Sequence, residues 1–184
     1  GKKHGYGVEV RDDGYSYIGD WVDGDWCGQG KLTLSNGNIY QGSFTKSLYS
    51  GKGKLIKTDG YTYDGDWLNG IRHGHGVEQK STEKYVGEFF NNYRHGHGSC
   101  HNKNGNTYIG QWRRGFRQGN GRETTPLSVY SGNWVRGKRS GHGQSISVTH
   151  GEYTGRWRDG KRHGVGVNIL DDVVYNGNWK NGMC

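Results

Sequence analysis

Eight times along this chain a Tyr, a Gly and a large aromatic residue occupy alternating places. The copies read YIGDW (17–21), YQGSF (40–44), YDGDW (63–67), YVGEF (85–89), YIGQW (108–112), YSGNW (130–134), YTGRW (153–157) and YNGNW (175–179), spaced 22 or 23 residues apart. Within each complete unit a Gly-x-Gly follows at unit positions 12 and 14: GQG (28–30), GKG (51–53), GHG (74–76), GHG (96–98), GNG (119–121), GHG (141–143) and GVG (164–166). The 184 residues therefore form one array. Seven complete units span 17–39, 40–62, 63–84, 85–107, 108–129, 130–152 and 153–174, with part units at 1–16 and 175–184. A repeat of this period restricts the fold to supersecondary units that bury their apolar surface only against their neighbours.

The composition selects the unit. Of 184 residues 36 are Gly, none is Ala and one is Pro, which is poor material for helices. The mean hydropathy of −1.03 is that of a weakly apolar chain, yet 7 Trp and 13 Tyr require burial. Residues 1, 3 and 5 of a strand share one face, so the Tyr and Trp of each unit stand on one side, separated by a Gly. Glycines 12 and 14 are expected to share a face of the second strand and form a floor for the rings. Position 8 (Gly24, Gly70, Gly115, Gly137, Gly160 and Gly182, with Ser47 and Asn92 as variants) reads as the tight-turn residue. The second turn carries NG at 36–37 and 104–105 and DG at 59–60. The segments 79–85, 123–130 and 169–175 lack that Gly and are expected to be longer or irregular. The whole reads as an all-β, elongated, twisted antiparallel sheet of stacked hairpins, open at both ends. Sixteen strands at about 4.8 Å each would extend roughly 75–80 Å.

The unit Y-x-G-x-W-x-x-G-x-x-x-G-x-G resembles the MORN repeat (membrane occupation and recognition nexus), over essentially the whole chain. The resemblance implies one β-hairpin per repeat. It also implies a role like that of the MORN scaffold proteins of protist cytoskeletons, the organisation of cytoskeletal or membrane-associated proteins. An open sheet has edges that pair unless blunted, so self-association, as a homodimer or higher, is expected. The alternatives to that role are a peripheral module for anionic phospholipids and an accessory array of a larger enzyme, since MORN arrays accompany catalytic domains in some proteins. An array entered and left inside a repeat reads as part of a longer one. The expected setting is cytoplasmic, on the cytoskeleton or at the cytoplasmic face of a membrane. The few scattered cysteines, 3 in all, agree with a reducing compartment.

Charge is unevenly placed. Residues 1–92 hold 11 Lys and Arg against 12 Asp and Glu, and residues 93–184 hold 14 against 5. Unit position 10, counted into the first turn, is Arg in five successive repeats: Arg72, Arg94, Arg117, Arg139 and Arg162. Lys138 and Lys161 precede two of them, and Arg113, Arg114, Arg136 and Arg158 lie at positions 6 and 7. Such a row, with copies about 9.6 Å apart, suits an anionic partner. It equally suits arginines that stack on the aromatic rings. The rings Tyr17, Trp21, Tyr40, Phe44, Tyr63, Trp67, Tyr85, Phe89, Tyr108, Trp112, Tyr130, Trp134, Tyr153, Trp157, Tyr175 and Trp179 form the expected spine. Bound into it, they are not available to stack bases, so nucleic acid is not an expected partner.

No catalytic arrangement is visible: Gly-x-Gly recurs in every unit, and neither GxxxxGK[ST] nor GxSxG occurs. The expectation is no enzyme and no cofactor. The stretch YRHGHGSCH (93–101) looks like a metal site, but His95 and His97 occupy places that also hold His73 and His75 one repeat earlier. Only Cys100 and His101 depart from the pattern. In a regular strand His101 joins the face of the two histidines and Cys100 points away. Zinc on His95, His97, Cys100 and His101 would thus be a minor alternative requiring ligands from a second chain.

Overall fold

The structure, a computed structural model, describes residues 1–183. It is all-β and divides into two units, residues 1–93 and the residues from Arg94 on. In the first unit the strands are β1 (Gly5–Val10), β2 (Ser16–Val22), β3 (Asp25–Thr33), β4 (Ile39–Thr45), β5 (Leu48–Ile56), β6 (Thr62–Leu68), β7 (Ile71–Gln79) and β8 (Glu83–Phe90). In the second they are β9 (Tyr93–Asn102), β10 (Thr107–Arg113), β11 (Phe116–Thr125), β12 (Ser128–Val135), β13 (Lys138–Ser147), β14 (Gly151–Arg158), β15 (Lys161–Leu170) and β16 (Val173–Trp179). Within each unit every strand pairs antiparallel with its neighbours in chain order, and neither sheet closes on itself. The expected stacked hairpins are therefore present. Among the described residues no helix is long and apolar enough to cross a membrane.

The first turn of every repeat spends two residues, not one, in the left-handed region. Positions 7 and 8 have φ of 49° and 80° at Asn69 and Gly70, 48° and 67° at Asn91 and Asn92, and 49° and 83° at Arg114 and Gly115. This is the two-residue turn whose twist matches that of paired strands. The count from it corrects an expectation. Position 10 lies not in the turn but in the second strand, directly opposite the position-5 aromatic, as in Trp67↔Arg72, Trp112↔Arg117, Trp134↔Arg139 and Trp157↔Arg162. The backbone N–H of position 8 then donates to the carbonyl of position 10 one repeat earlier, as in Gly70 to Tyr49 (2.8 Å) and Gly137 to Arg117 (2.9 Å).

The glycine floor also differs from expectation. Position 14 pairs with position 3, Gly65 with Gly76 for example, and between that pair and the 5↔10 pair the register shifts. One residue, Asp66, there faces three, His73 to His75. Gly74 absorbs this bulge at a φ of 60°. A Cβ on it would meet the Asp66 side chain on the far side of the sheet. The floor is thus made by positions 3 and 14. In repeats 17–39, 63–84 and 108–129 the extra backbone N–H at position 13 is satisfied by position 4: Gln29 N donates to Asp20 Oδ2 (3.3 Å), His75 N to Asp66 Oδ2 (2.8 Å) and Asn120 N to Gln111 Oε1 (2.9 Å).

The glycine-free second turns are shorter than expected, not longer. Residues 80–82 join β7 to β8, and two residues each, 126–127 and 171–172, join β11 to β12 and β15 to β16. The turns with NG or DG span four or five residues. The 22-residue units have lost one loop residue, and a compact hairpin has replaced the wider turn.

Seven of the eight spine tyrosines are completely buried although the sheet is one layer thick: Tyr17, Tyr40, Tyr63, Tyr85, Tyr108, Tyr130 and Tyr153 all have 0% exposure, while Tyr175, on the last strand, is half-buried. The ring lies over the two floor glycines, and its hydroxyl donates to the carbonyl of position 4, as in Tyr63 to Asp66 (3.0 Å) and Tyr153 to Arg156 (2.8 Å). Edge-on aromatics close both sides. Tyr63 meets Trp67 and Phe89 at 5.0 Å, and Tyr108 meets Trp112 and Trp134 at 5.2 Å. Such perpendicular pairs are worth about 0.5–1.5 kcal/mol each beyond burial. The indole N–H of position 5 donates to the position-14 carbonyl one repeat earlier, as in Trp67 to Gly53 (2.9 Å) and Trp157 to Gly143 (3.1 Å). Position 10 forms the lid.

Candidate functional site: the aromatic face and its cations

The lid residue is aromatic in the first two complete repeats and cationic afterwards. Trp26 stacks on Tyr17 (4.7 Å, 13°) and Tyr49 on Tyr40 (3.7 Å, 8°). In later repeats a guanidinium takes that place. Arg117 lies 4.7 Å from the Tyr108 centroid and 5.1 Å from Trp134. Arg139 lies 4.7 Å from Tyr130 and 5.4 Å from Trp157, and Arg162 4.7 Å from Tyr153 and 5.1 Å from Trp179. Arg72 lies over Tyr63 and Phe89, and Arg94 lies 5.5 Å from Trp112. The five arginines are thus half-buried parts of the aromatic layer.

Position 16, which faces the tyrosine across the ladder, supplies their polar partners. Arg72 Nη1 donates to Glu78 Oε1 (2.6 Å), and Tyr61 donates to the same oxygen (3.0 Å). Arg117 Nη1 donates to Glu123 Oε1 (2.6 Å), while Arg139 Nη2, one repeat on, takes Glu123 Oε2 (2.8 Å). One carboxylate therefore bridges two successive guanidinium groups. Burial works against the charge on Glu123, but the hydrogen bonds from Arg139 and Arg117 outweigh it and hold the carboxyl below the usual carboxylate range. Where position 16 carries no carboxylate the contact changes: Arg162 Nη1 donates to Asn168 Oδ1 (2.7 Å), and Arg94 Nη1 approaches Cys100 Sγ (3.7 Å).

The remaining cations behave differently. Arg113, Arg114, Arg136, Lys138 and Lys161 are exposed, around the two-residue turns of the second unit. Arg113, Arg114, Phe116, Gln118, Val135 and Arg136 line a cleft of about 350 Å³. Arg114 and Arg136 hold φ near 49° and 48°, where Asn or Asp is the favoured non-glycine choice. The anionic-partner candidates thus fall into two sets, five stacked under restraint on the aromatic face and five exposed around the turns, of which Lys138 lies 3.7 Å from Asp159 Oδ1. Sequence reasoning missed the pairing of positions 10 and 16. Its signal was present in the six-residue spacing of Lys3 and Glu9, Arg72 and Glu78, and Arg117 and Glu123.

Cys100 is buried on the aromatic face, paired across the ladder with Tyr108, whereas His97 and His101 are exposed. Among the described residues no group of three or more His, Cys, Asp or Glu could hold a metal ion.

A one-layer array of hairpins with a repeated aromatic face defines a repeat module for protein interaction. The MORN repeat model matches residues 1–14, 17–39, 40–60, 63–82, 85–107, 108–126, 130–151, 153–167 and 175–184, and the chain belongs to the MORN-repeat family. That family indicates no enzyme. No curated protein matches the chain. Among solved structures it is similar to the SAS-4 (dCPAP) TCP domain of Drosophila melanogaster in complex with a proline-rich motif of Ana2 (dSTIL). The identity is 10% over 95% of this chain and 90% of that one, with a TM-score of 0.50. The G-box domain of the microcephaly protein CPAP is also similar, at 11% identity over 96% and 100% of the two chains and a TM-score of 0.47. The TCP10 domain of Danio rerio CPAP in complex with a STIL peptide shows 12% identity over 94% and 93%, with a TM-score of 0.25. At 10% identity the likeness to the SAS-4 domain is one of fold.

Proposed function

We propose that this chain is a non-catalytic scaffold that binds an extended segment of a partner protein along its aromatic face, at a cytoskeletal assembly. The observation that carries this reading is the face itself. It presents a regularly spaced row of half-buried lid groups, Trp26 and Tyr49 and then the five guanidinium groups, laid over the buried rings, and among the described residues of each unit no second layer packs over it. Extended segments, proline-rich ones above all, dock on aromatic-lined grooves at low entropic cost. The SAS-4 domain of similar fold is in complex with a proline-rich motif, which supports the same mode here. Self-association belongs to the proposal. Val22, Leu48, Leu68 and Phe90 follow one another along the turns of the first unit, each 46–49% exposed, and an apolar row of that kind suits a second copy.

Titrating a fluorescein-labelled proline-rich peptide into the intact chain should raise its anisotropy and shift the tryptophan emission. Sedimentation velocity should show a species larger than the monomer. A monomer that binds no extended peptide would refute the reading. A second reading, binding of anionic phospholipid, is favoured by the exposed cations of the turns in the second unit. It predicts co-sedimentation with phosphatidylserine vesicles that weakens steeply with salt, and no co-sedimentation at low salt would remove it.

A further inference from the structure

The repeated arrangement exposes a missing piece. In the repeat 108–129 the position-16 carboxylate of Glu123 bridges its own repeat's Arg117 and the next repeat's Arg139. One repeat further on, the equivalent residue is Ser145, standing between Tyr130 and Tyr153 in the ladder. The equivalent flanking cations are Arg139 and Arg162, which stack on the same two tyrosines. A serine is too short to bridge them. Above it the face opens into a cavity of about 380 Å³, lined by Ser128, Arg139, Ser145, Ser147, His150, Trp157, Lys161 and Arg162 among others. Lys161 is exposed there and Ser145 is buried.

From this geometry we infer a carboxylate subsite: the cavity receives an Asp or Glu side chain from an extended partner segment, which occupies the place that Glu123 fills one repeat earlier. The inference rests on the reading of the aromatic face as a peptide-binding surface, and it names what that surface selects. Three observations support a carboxylate in particular. First, the chain already shows a carboxylate between two stacked guanidinium groups at the preceding repeat, with bonds of 2.6 and 2.8 Å, the short lengths of charge-assisted pairs. Second, Ser128, Ser145 and Ser147 line the vacated place together with Lys161, so its walls are polar and cationic. Third, the wall is Trp157, against which the aliphatic part of a Glu or a neighbouring proline can rest. Glu78 and Glu123 fill the equivalent place in two other repeats, so the vacancy at Ser145 also sets a register: the partner's acid enters at this repeat and its flanking residues run along the ladder.

The test uses two fluorescein-labelled peptides, one of alternating Pro and Glu and one of alternating Pro and Gln, titrated into the intact chain and followed by anisotropy. The Glu peptide should bind at least tenfold tighter than the Gln peptide. Ser145→Glu supplies the missing carboxylate from the chain itself, so it should remove that preference and bring both peptides to the Gln value while the thermal midpoint stays or rises. Lys161→Gln, at an exposed position, should weaken only the Glu peptide, severalfold, and keeps the test valid if Ser145→Glu fails to fold. Equal binding of the two peptides to the unaltered chain would overturn the subsite and leave the peptide-binding reading standing. A preference unchanged in both variants would overturn it as well. Binding of neither peptide would sink both readings, and binding of phosphatidylserine vesicles alone would replace them with a lipid surface.

Discussion

Gly76→Ala places one methyl group beneath the Tyr63 ring and tests whether the floor glycines are what permits a one-layer sheet to bury its tyrosines. The new Cβ would stand 2.6 Å from Cε2 and Oη of Tyr63 and 2.7 Å from Cζ. Ordinary carbon contacts are about 3.5–4.0 Å, so the ring must rise by roughly 1 Å. That lift breaks the Tyr63 hydroxyl bond to Asp66, worth about 1 kcal/mol. It also disturbs the edge contacts with Trp67 and Phe89, at about 0.5–1.5 kcal/mol each if fully lost. Against this, Ala reduces the freedom of the unfolded chain by about 0.4–1 kcal/mol. The expected net loss is about 2–3 kcal/mol, a large share of the roughly 5–15 kcal/mol that holds a typical domain. Urea denaturation followed by tryptophan fluorescence reads it as a lower midpoint at an unchanged slope. Tyr63→Phe removes Oη, one of the closest contacts, so the double variant should lose less than the sum of the singles. A loss below about 1 kcal/mol for Gly76→Ala, or strict additivity with Tyr63→Phe, would refute the reasoning.

Other expectations follow from the same geometry. Burial pushes the phenols of Tyr17, Tyr108 and Tyr130 up to about 12 and raises those of Tyr40 and Tyr63 further. Their stabilising contribution is whole below the ordinary value of about 10 and is lost as pH climbs through the folded values, because the unfolded chain releases its phenolic protons first. Urea midpoints should therefore fall progressively from pH 10 to pH 12, and a flat profile over that range would contradict the buried tyrosines. Arg114→Asn and Arg136→Asn put a favoured residue at a φ of 49° and 48°, so each should raise stability by about 0.5–1 kcal/mol. If the exposed turn cations serve an anionic partner, the same variants should weaken binding to phosphatidylserine vesicles, as read by co-sedimentation.

The unit boundaries, the aromatic ladder and the hairpin are all legible in the sequence because each depends on residue type at a fixed period. Tyr63 and Trp67 must share a face, and only Gly65 between them admits the ring. The bulge is less legible. Gly74 and Gly76 look alike as letters, yet one turns the backbone through the left-handed region and the other provides space beneath a ring. The placement of Arg72 failed for a related reason. Counting a one-residue turn at Gly70 leaves the arginine in the loop, whereas the left-handed pair Asn69 and Gly70 returns it to the strand opposite Trp67. At 93–101 the alternation read from the sequence agrees with the structure, with Cys100 on the aromatic face and His97 and His101 toward solvent. The vacancy at Ser145 is visible only by comparison with Glu123 once both are known to face the same pair of tyrosines.

The central claim, that the aromatic face of this array is its binding surface, is tested most directly by indole NMR. Each of the 7 tryptophans carries one ring N–H, and Trp134, Trp157 and Trp179 donate theirs to glycine carbonyls within the ladder of the second unit. In the 15N-labelled chain, adding the alternating Pro–Glu peptide should move the indole signals of Trp157 and its neighbours Trp134 and Trp179, while that of Trp21 stays in place. Saturating peptide that moves no indole signal and shifts only the backbone signals of Arg114, Arg136 and the other turn residues would contradict the claim.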